Sequence, residues 1–123
     1  MSVYPSLLSL SRDSTQCGGT GGCEGSTQWL AFNYTLHAGG QTLEKDYPYR
    51  GSDTKCAEEK IKPAAKITGY VRLPPNNYSA LMNAVATVGP IAISAAAEPW
   101  QLYESGVYDG DCGADVDHAI QCV

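Results

Sequence analysis

The sequence predicts an α+β fold, because its clearest helical signal comes early and its strand signals come later. Trp29, Phe32, Asn33 and Leu36 recur at the i, i+3, i+4, i+7 spacing of one helix face. Ala65 to Leu73 alternates as a strand does, and Ile91 to Ala96 and His118 to Val123 are short apolar runs suited to strands. The change of pattern near residue 65 predicts two subregions, residues 1–64 of helix and loops and residues 65–123 carrying the strands.

The chain of 123 residues is long enough for one domain of ordinary size. With 43% hydrophobic and 17% charged residues, a packed core is expected rather than disorder. A net charge of -5 without any run of Lys or Arg predicts no nucleic-acid partner. No apolar run reaches membrane-spanning length, so no transmembrane helix is expected. Met1-Ser2-Val3-Tyr4-Pro5 lacks the basic start and apolar core of a signal peptide.

The cysteine count is five, an odd number. Cys17, Cys23, Cys56 and Cys112 sit among Gly, Ser, Thr and charged residues, as exposed loop cysteines do. Cys122 lies in an apolar run and reads as a buried free thiol. Two glycosylation sequons, Asn33-Tyr34-Thr35 and Asn77-Tyr78-Ser79, add to the cysteines in favouring an oxidising compartment. That fits the start of the chain only if the chain is a piece of something longer.

In order, residues 1–16 are weakly specified, with Ser11 able to cap a short turn. Residues 17–26 form a glycine-rich loop, too flexible for regular structure. It is not a phosphate loop, since no Gly-Lys-Ser/Thr follows. It is not a zinc site either: Cys17 and Cys23 lack a second pair, because Cys56 and Cys112 stand alone, and no metal or cofactor is expected. A helix starts near Ser26 or Thr27 and stops at Gly39-Gly40, a left-handed C-cap. His37, in its last turn, complements the helix dipole and needs no catalytic role. Residues 41–64 read as a long irregular connection, and Pro74-Pro75 stops the alternating strand that follows it. Asn77 or Ser79 caps a second helix carrying Leu81, Met82, Val85 and Val88, ended by Gly89-Pro90. A turn of helix at Trp100 to Tyr103 and a loop holding Cys112 lead to the last strand.

That strand opens with Asp117-His118. A strand that begins with His holds the imidazole at a sheet edge, facing a cleft, where it suits a general base or the partner of a thiolate. A satisfied core histidine is the alternative, and the residues of this stretch alone leave both open.

Taken together, the motifs resemble those of the papain-like cysteine proteases, the family of papain and the cathepsins. Cys17 followed by Gly22-Cys23-Glu24-Gly25 is similar to the family's Cys-then-Gly-Cys-Asn-Gly-Gly loop. Ala31-Phe32, Gly39-Gly40 and Tyr47-Pro48-Tyr49 resemble its helix, turn and Tyr-Pro-Tyr signature. Ile67 to Tyr70, Leu81 to Val88, Gly89-Pro90-Ile91, Tyr103 to Tyr108 and Val116 to Ala119 follow in the family's order, the last matching the block around its catalytic histidine. Glu24 and Ser26 depart from the family's Asn and Gly, and the turn between Leu10 and Cys17 looks shortened.

The resemblance implies a papain-like two-subdomain fold, a helical left part and a β-barrel-like right part, incomplete at both ends. It implies a cysteine-type peptidase in which His118 pairs with a thiolate. It places Gly25 and Ser26 along an extended substrate, Ser94, Val116 and Ala119 around the specificity pocket, and Asp117 as an electrostatic neighbour of His118. It pairs Cys17 with Cys56 and leaves Cys23 and Cys112 without their partners. Polypeptide substrates, a propeptide or protein inhibitors are the implied partners, in a lysosome, vacuole or extracellular setting. The family's nucleophile precedes its histidine by roughly 130–150 residues, which counts back to roughly 12 to 32 positions before Met1. Gln16-Cys17-Gly18-Gly19 and Trp29 echo the nucleophile motif, but no cysteine here stands next to a Trp at a helix start. The nucleophile segment is therefore expected before residue 1, and the orienting Asn and Trp after residue 123. A non-catalytic homologue that acts as a binding module is the alternative reading.

Overall fold

The computed structural model describes Cys17 and residues 22–123; the possible cap at Ser11 and the glycines at 18, 19 and 21 lie outside the described residues. The chain divides into two compact units, Met1–Val71 and Arg72–Val123.

In the first unit, helix α1 spans Gln28–His37 with Thr27 as its extended N-cap residue. Thr27 makes no side-chain capping bond, so the cap is one of backbone shape alone. At the other end Gly39 has φ +75°, and the amides of Gly40 and Gly39 donate to the carbonyls of Thr35 and Leu36 at 2.9 and 3.4 Å. This is the left-handed stop that Gly39-Gly40 predicts. The buried centre of α1 differs from the expected face. Thr35 is 3% exposed, whereas Trp29 is 40% exposed. The cause is the strand that follows: Gln41 donates its side-chain amide to the Thr35 hydroxyl at 3.1 Å, and that hydroxyl donates to the Ala31 carbonyl.

The 41–64 connection is not wholly irregular. Strand β1, Gln41–Thr42, pairs antiparallel with β2, Pro63–Ala65. Gly40 makes the pairing possible, because a Cβ there would come within 2.6 Å of the Ala65 carbonyl. Thr42, 2% exposed, accepts from the Lys62 amide at 3.0 Å. The strand expected over residues 65–73 reduces to its first residue. Alternation sets which way side chains point, but a strand also needs a neighbour for its hydrogen bonds, and residues 66–73 have no ladder. Tyr70 instead stacks on Phe32 of α1, with centroids 5.6 Å apart. The units accordingly divide after Val71.

Cys17 and Cys56 form a disulfide, with Cα atoms 4.9 Å apart. Tyr47, the first tyrosine of Tyr47-Pro48-Tyr49, is 2% exposed beside it. Its hydroxyl donates to Cys17 Sγ, which has no proton to give, and accepts from the Ala57 amide at 3.2 Å. Bridge and tyrosine together fasten the loop between β1 and β2.

In the second unit, helix α2 covers Tyr78–Thr87. Asn77 is its cap: Oδ1 accepts from the Ala80 amide at 2.9 Å. Asn77→Ala is expected to cost about 1 kcal/mol, read as a lower urea midpoint at unchanged slope. Gly89, at φ +115°, follows the helix. Of the expected apolar face, Leu81 and Val85 are half-buried and Met82 and Val88 are exposed, while Ala84 between them is buried. Strands β3, Ile91–Ala95, and β4, His118–Cys122, pair antiparallel, with Ala95 opposite His118 and Ile93 opposite Ile120. Ile120 and Cys122 are half-buried, so the thiol of Cys122 is free but not enclosed.

Candidate functional site

His118 is the first residue of β4, and the ladder to β3 fixes its backbone. Its side chain is exposed, and no described residue hydrogen-bonds the ring. It is therefore not a satisfied core histidine. It lines an open pocket of about 440 Å³ with Ala97, Glu98, Trp100, Gln101 and Asp117.

Asp117 holds the pocket's rim together. Its carboxylate accepts from the amides of Ala97 at 2.7 Å and Glu98 at 3.0 Å, at the start of the 3-10 turn Glu98–Leu102. The Ala97 amide, then that of Glu98, and the nearby His118 hold this carboxyl below its usual range. Because the folded value is depressed, the associated stability is present above the ordinary Asp value of about 3.9 and is lost as pH falls through the folded value. The carboxylate thus positions the turn beside His118. Trp100 donates its ring N–H to Cys112 Sγ at 3.3 Å and meets Tyr108 edge-on.

Ser94 and Ala119 are cross-strand partners. Directly opposed residues share a sheet face and successive residues alternate, so this pair lies on the face opposite to Ala95 and His118. Ser94, Ala119 and the exposed Val116 are not among the residues lining the His118 pocket. Gly25 and Ser26 belong to the first unit, where both are exposed and Gly25 has φ +93°. The pocket residues that the sequence does not single out are Ala97 and Glu98, while Trp100 and Gln101 enter it only as part of a helical turn. The Asp117 contact that brings them to His118 spans 20 residues, and local pattern carries no signal for it.

Cys23 sits exposed in the short 3-10 turn Gly22–Glu24. Its amide donates to Asp53 Oδ1 at 2.8 Å, and Gly22, at φ +55°, leaves no room for a Cβ against that carboxylate. Hydrogen bonding to Asp53 pushes the Cys23 thiol up, with desolvation and the Asp53 charge adding to it. A nucleophilic cysteine needs the opposite shift. Alkylation of Cys23 at neutral pH is expected to be slower than that of an unstructured cysteine, and Asp53→Asn is expected to speed it. Faster alkylation in the unsubstituted protein would contradict this reading. His37 Nδ1 donates to the Asn33 carbonyl at 2.7 Å, a structural use within α1.

A strand-borne imidazole at the edge of an antiparallel pair in one unit, and a disulfide-bridged helical unit in the other, define part of a papain-like α+β fold. Bromelain from Ananas comosus, solved with the inhibitor E64, is similar at a TM-score of 0.81 and 33% identity, with 89% of this chain and 51% of that chain covered. The family described as papain family cysteine protease matches residues 3–123. The chain belongs to that family. Senescence-specific cysteine protease SAG12 of Arabidopsis thaliana is 40% identical over 104 residues, 83% of this chain and 30% of the relative. Chymopapain of Carica papaya is also 40% identical over 104 residues, 83% of this chain and 29% of the relative. The chain thus spans about three tenths of the length of these curated relatives.

Proposed function

We propose that these residues serve a cysteine peptidase and that His118 is its catalytic imidazole. The observation that carries this reading is the His118 ring itself: exposed at a pocket, fixed at a sheet edge, and free of hydrogen bonds from the described residues. As imidazolium, His118 stabilises a thiolate. The thiolate attacks the peptide carbonyl, a C–S bond forms, the C–N bond breaks, and His118 gives its proton to the leaving amine. His118 then takes a proton from the water that cleaves the thioester. Cys17 and Cys56 are bridged, and none of the five cysteines stands beside a Trp at a helix start as the family's nucleophile does, so the thiolate is assigned to a cysteine outside these 123 residues.

Gly25 and Ser26 offer exposed backbone for strand-like pairing with an extended peptide. The family resemblance assigns Ser94, Val116 and Ala119 to the wall for an apolar side chain of the substrate; Ser94 and Ala119 share the sheet face away from His118, so that wall is separate from the His118 pocket. The compact units Met1–Val71 and Arg72–Val123 support reading residues 1–64 as part of the helical half and residues 65–123 as part of the β half. Substrates are polypeptides, and a propeptide or protein inhibitors are the natural regulators. The bridge supports an oxidising compartment, lysosomal, vacuolar or extracellular. The full-length protein is expected to cleave unfolded polypeptides and to be inactivated by E-64, the inhibitor bound in the similar bromelain. A full-length protein that cleaves nothing, or that cleaves with no sensitivity to E-64, would overturn this reading.

A further inference from the structure

We propose that Asn77 carries an N-linked oligosaccharide. Asn77-Tyr78-Ser79 is a sequon, and all three residues are exposed. The two oxygen and nitrogen ends of the Asn77 amide have separate duties. Oδ1 caps α2 by accepting from the Ala80 amide at 2.9 Å. Nδ2 has no partner among the described residues. A sugar joined to Nδ2 leaves Oδ1 an acceptor, so the modified residue still caps the helix. Asn76 has φ +54°, so the chain turns immediately before the acceptor residue. The Cys17–Cys56 bridge is an independent sign of the oxidising compartment in which such transfer takes place.

The donor is a polyprenyl-diphosphate-linked oligosaccharide. A bond forms between Nδ2 and the anomeric carbon, the carbon–oxygen bond to the diphosphate breaks, the polyprenyl diphosphate leaves, and one amide proton passes to a base. The second sequon differs. Asn33 is inside α1, and Thr35 is 3% exposed with its hydroxyl engaged by Ala31 and Gln41. Its third residue is closed to an enzyme acting on the folded chain, and the proposal concerns Asn77.

The test uses the full-length protein isolated from its own cells and treated with a peptide N-glycosidase in heavy-oxygen water. The peptide containing Asn77 is expected in the isotope-labelled Asp form. Ser79→Ala removes the sequon hydroxyl and keeps the Asn77 cap, so it separates loss of the sugar from loss of the helix cap. This variant is expected to lose the glycosidase-sensitive shift in gel mobility attributable to the Asn77 peptide while remaining folded. Recovery of Asn77 wholly unlabelled from the native protein, or a Ser79→Ala protein that keeps the labelled Asn77 peptide, would overturn the proposal.

Discussion

Replacing His118 by Ala in the full-length protein is expected to lower kcat for peptide cleavage by about 10²- to 10⁴-fold, the range for a positioned proton-transfer group. The loss should fall on kcat more than on KM. The exposed ring meets the pocket from the first position of β4, and the pocket walls come from Ala97, Glu98, Trp100, Gln101 and Asp117. Removing the ring leaves those walls in place, so a peptide still binds while the proton transfer is gone. His118→Gln should be as damaging as His118→Ala, since it restores volume and hydrogen bonding but cannot take up and give back a proton. Steady-state kinetics on both variants checks this, and a variant with full kcat would sink the assignment.

Breaking the Cys17–Cys56 bridge is the second large effect. The bridge closes a separation of 39 residues, worth on the order of 3–4 kcal/mol in the chain-entropy model. Its loss also frees the buried Tyr47, whose hydroxyl contacts both Cys17 Sγ and the Ala57 amide. The described core is thin: Tyr47 and Ala84 are its buried hydrophobic residues, and Trp29, Leu30, Tyr70, Val71 and Met82 stand exposed. A loss of that size is a large share of a typical domain's stability of about 5–15 kcal/mol. Cys17→Ser with Cys56→Ser, compared with the unsubstituted protein by urea unfolding, should show a midpoint lowered accordingly. An unchanged midpoint would show that the bridge fastens nothing.

Helices α1 and α2 and the strands β3 and β4 were legible in the sequence because each is announced locally. Gly39-Gly40 stops α1, Asn77 caps α2, and apolar runs mark both strands. The bridge was legible only through the family resemblance. Strands of two and three residues, such as β1 and β2, are too short to show a period, so the pattern alone predicts an irregular connection there. Residues 66–73 show the reverse: the period is present and the partner strand is not. The buried centre of α1 moved to Thr35 because Gln41 packs there, a contact made by tertiary structure rather than by helix pattern. At the candidate site, the motif around His118 singles it out. The use of Asp117 as the acceptor for two amides is not visible in the sequence, because the residues it holds lie 19 and 20 positions away.

In the proposed mechanism His118 holds a thiolate in its reactive form. This pairing is tested most directly by the rate at which the full-length protein's reactive cysteine is alkylated as pH is varied. A thiol beside an imidazolium has its pKa lowered from about 8.5 into the range of about 3.5–7.5. The unsubstituted protein should therefore alkylate rapidly well below neutral pH. In His118→Ala the rate should become slow in acid and rise only toward the ordinary thiol value. Coincident pH profiles for the two proteins would contradict the pairing of His118 with the thiolate.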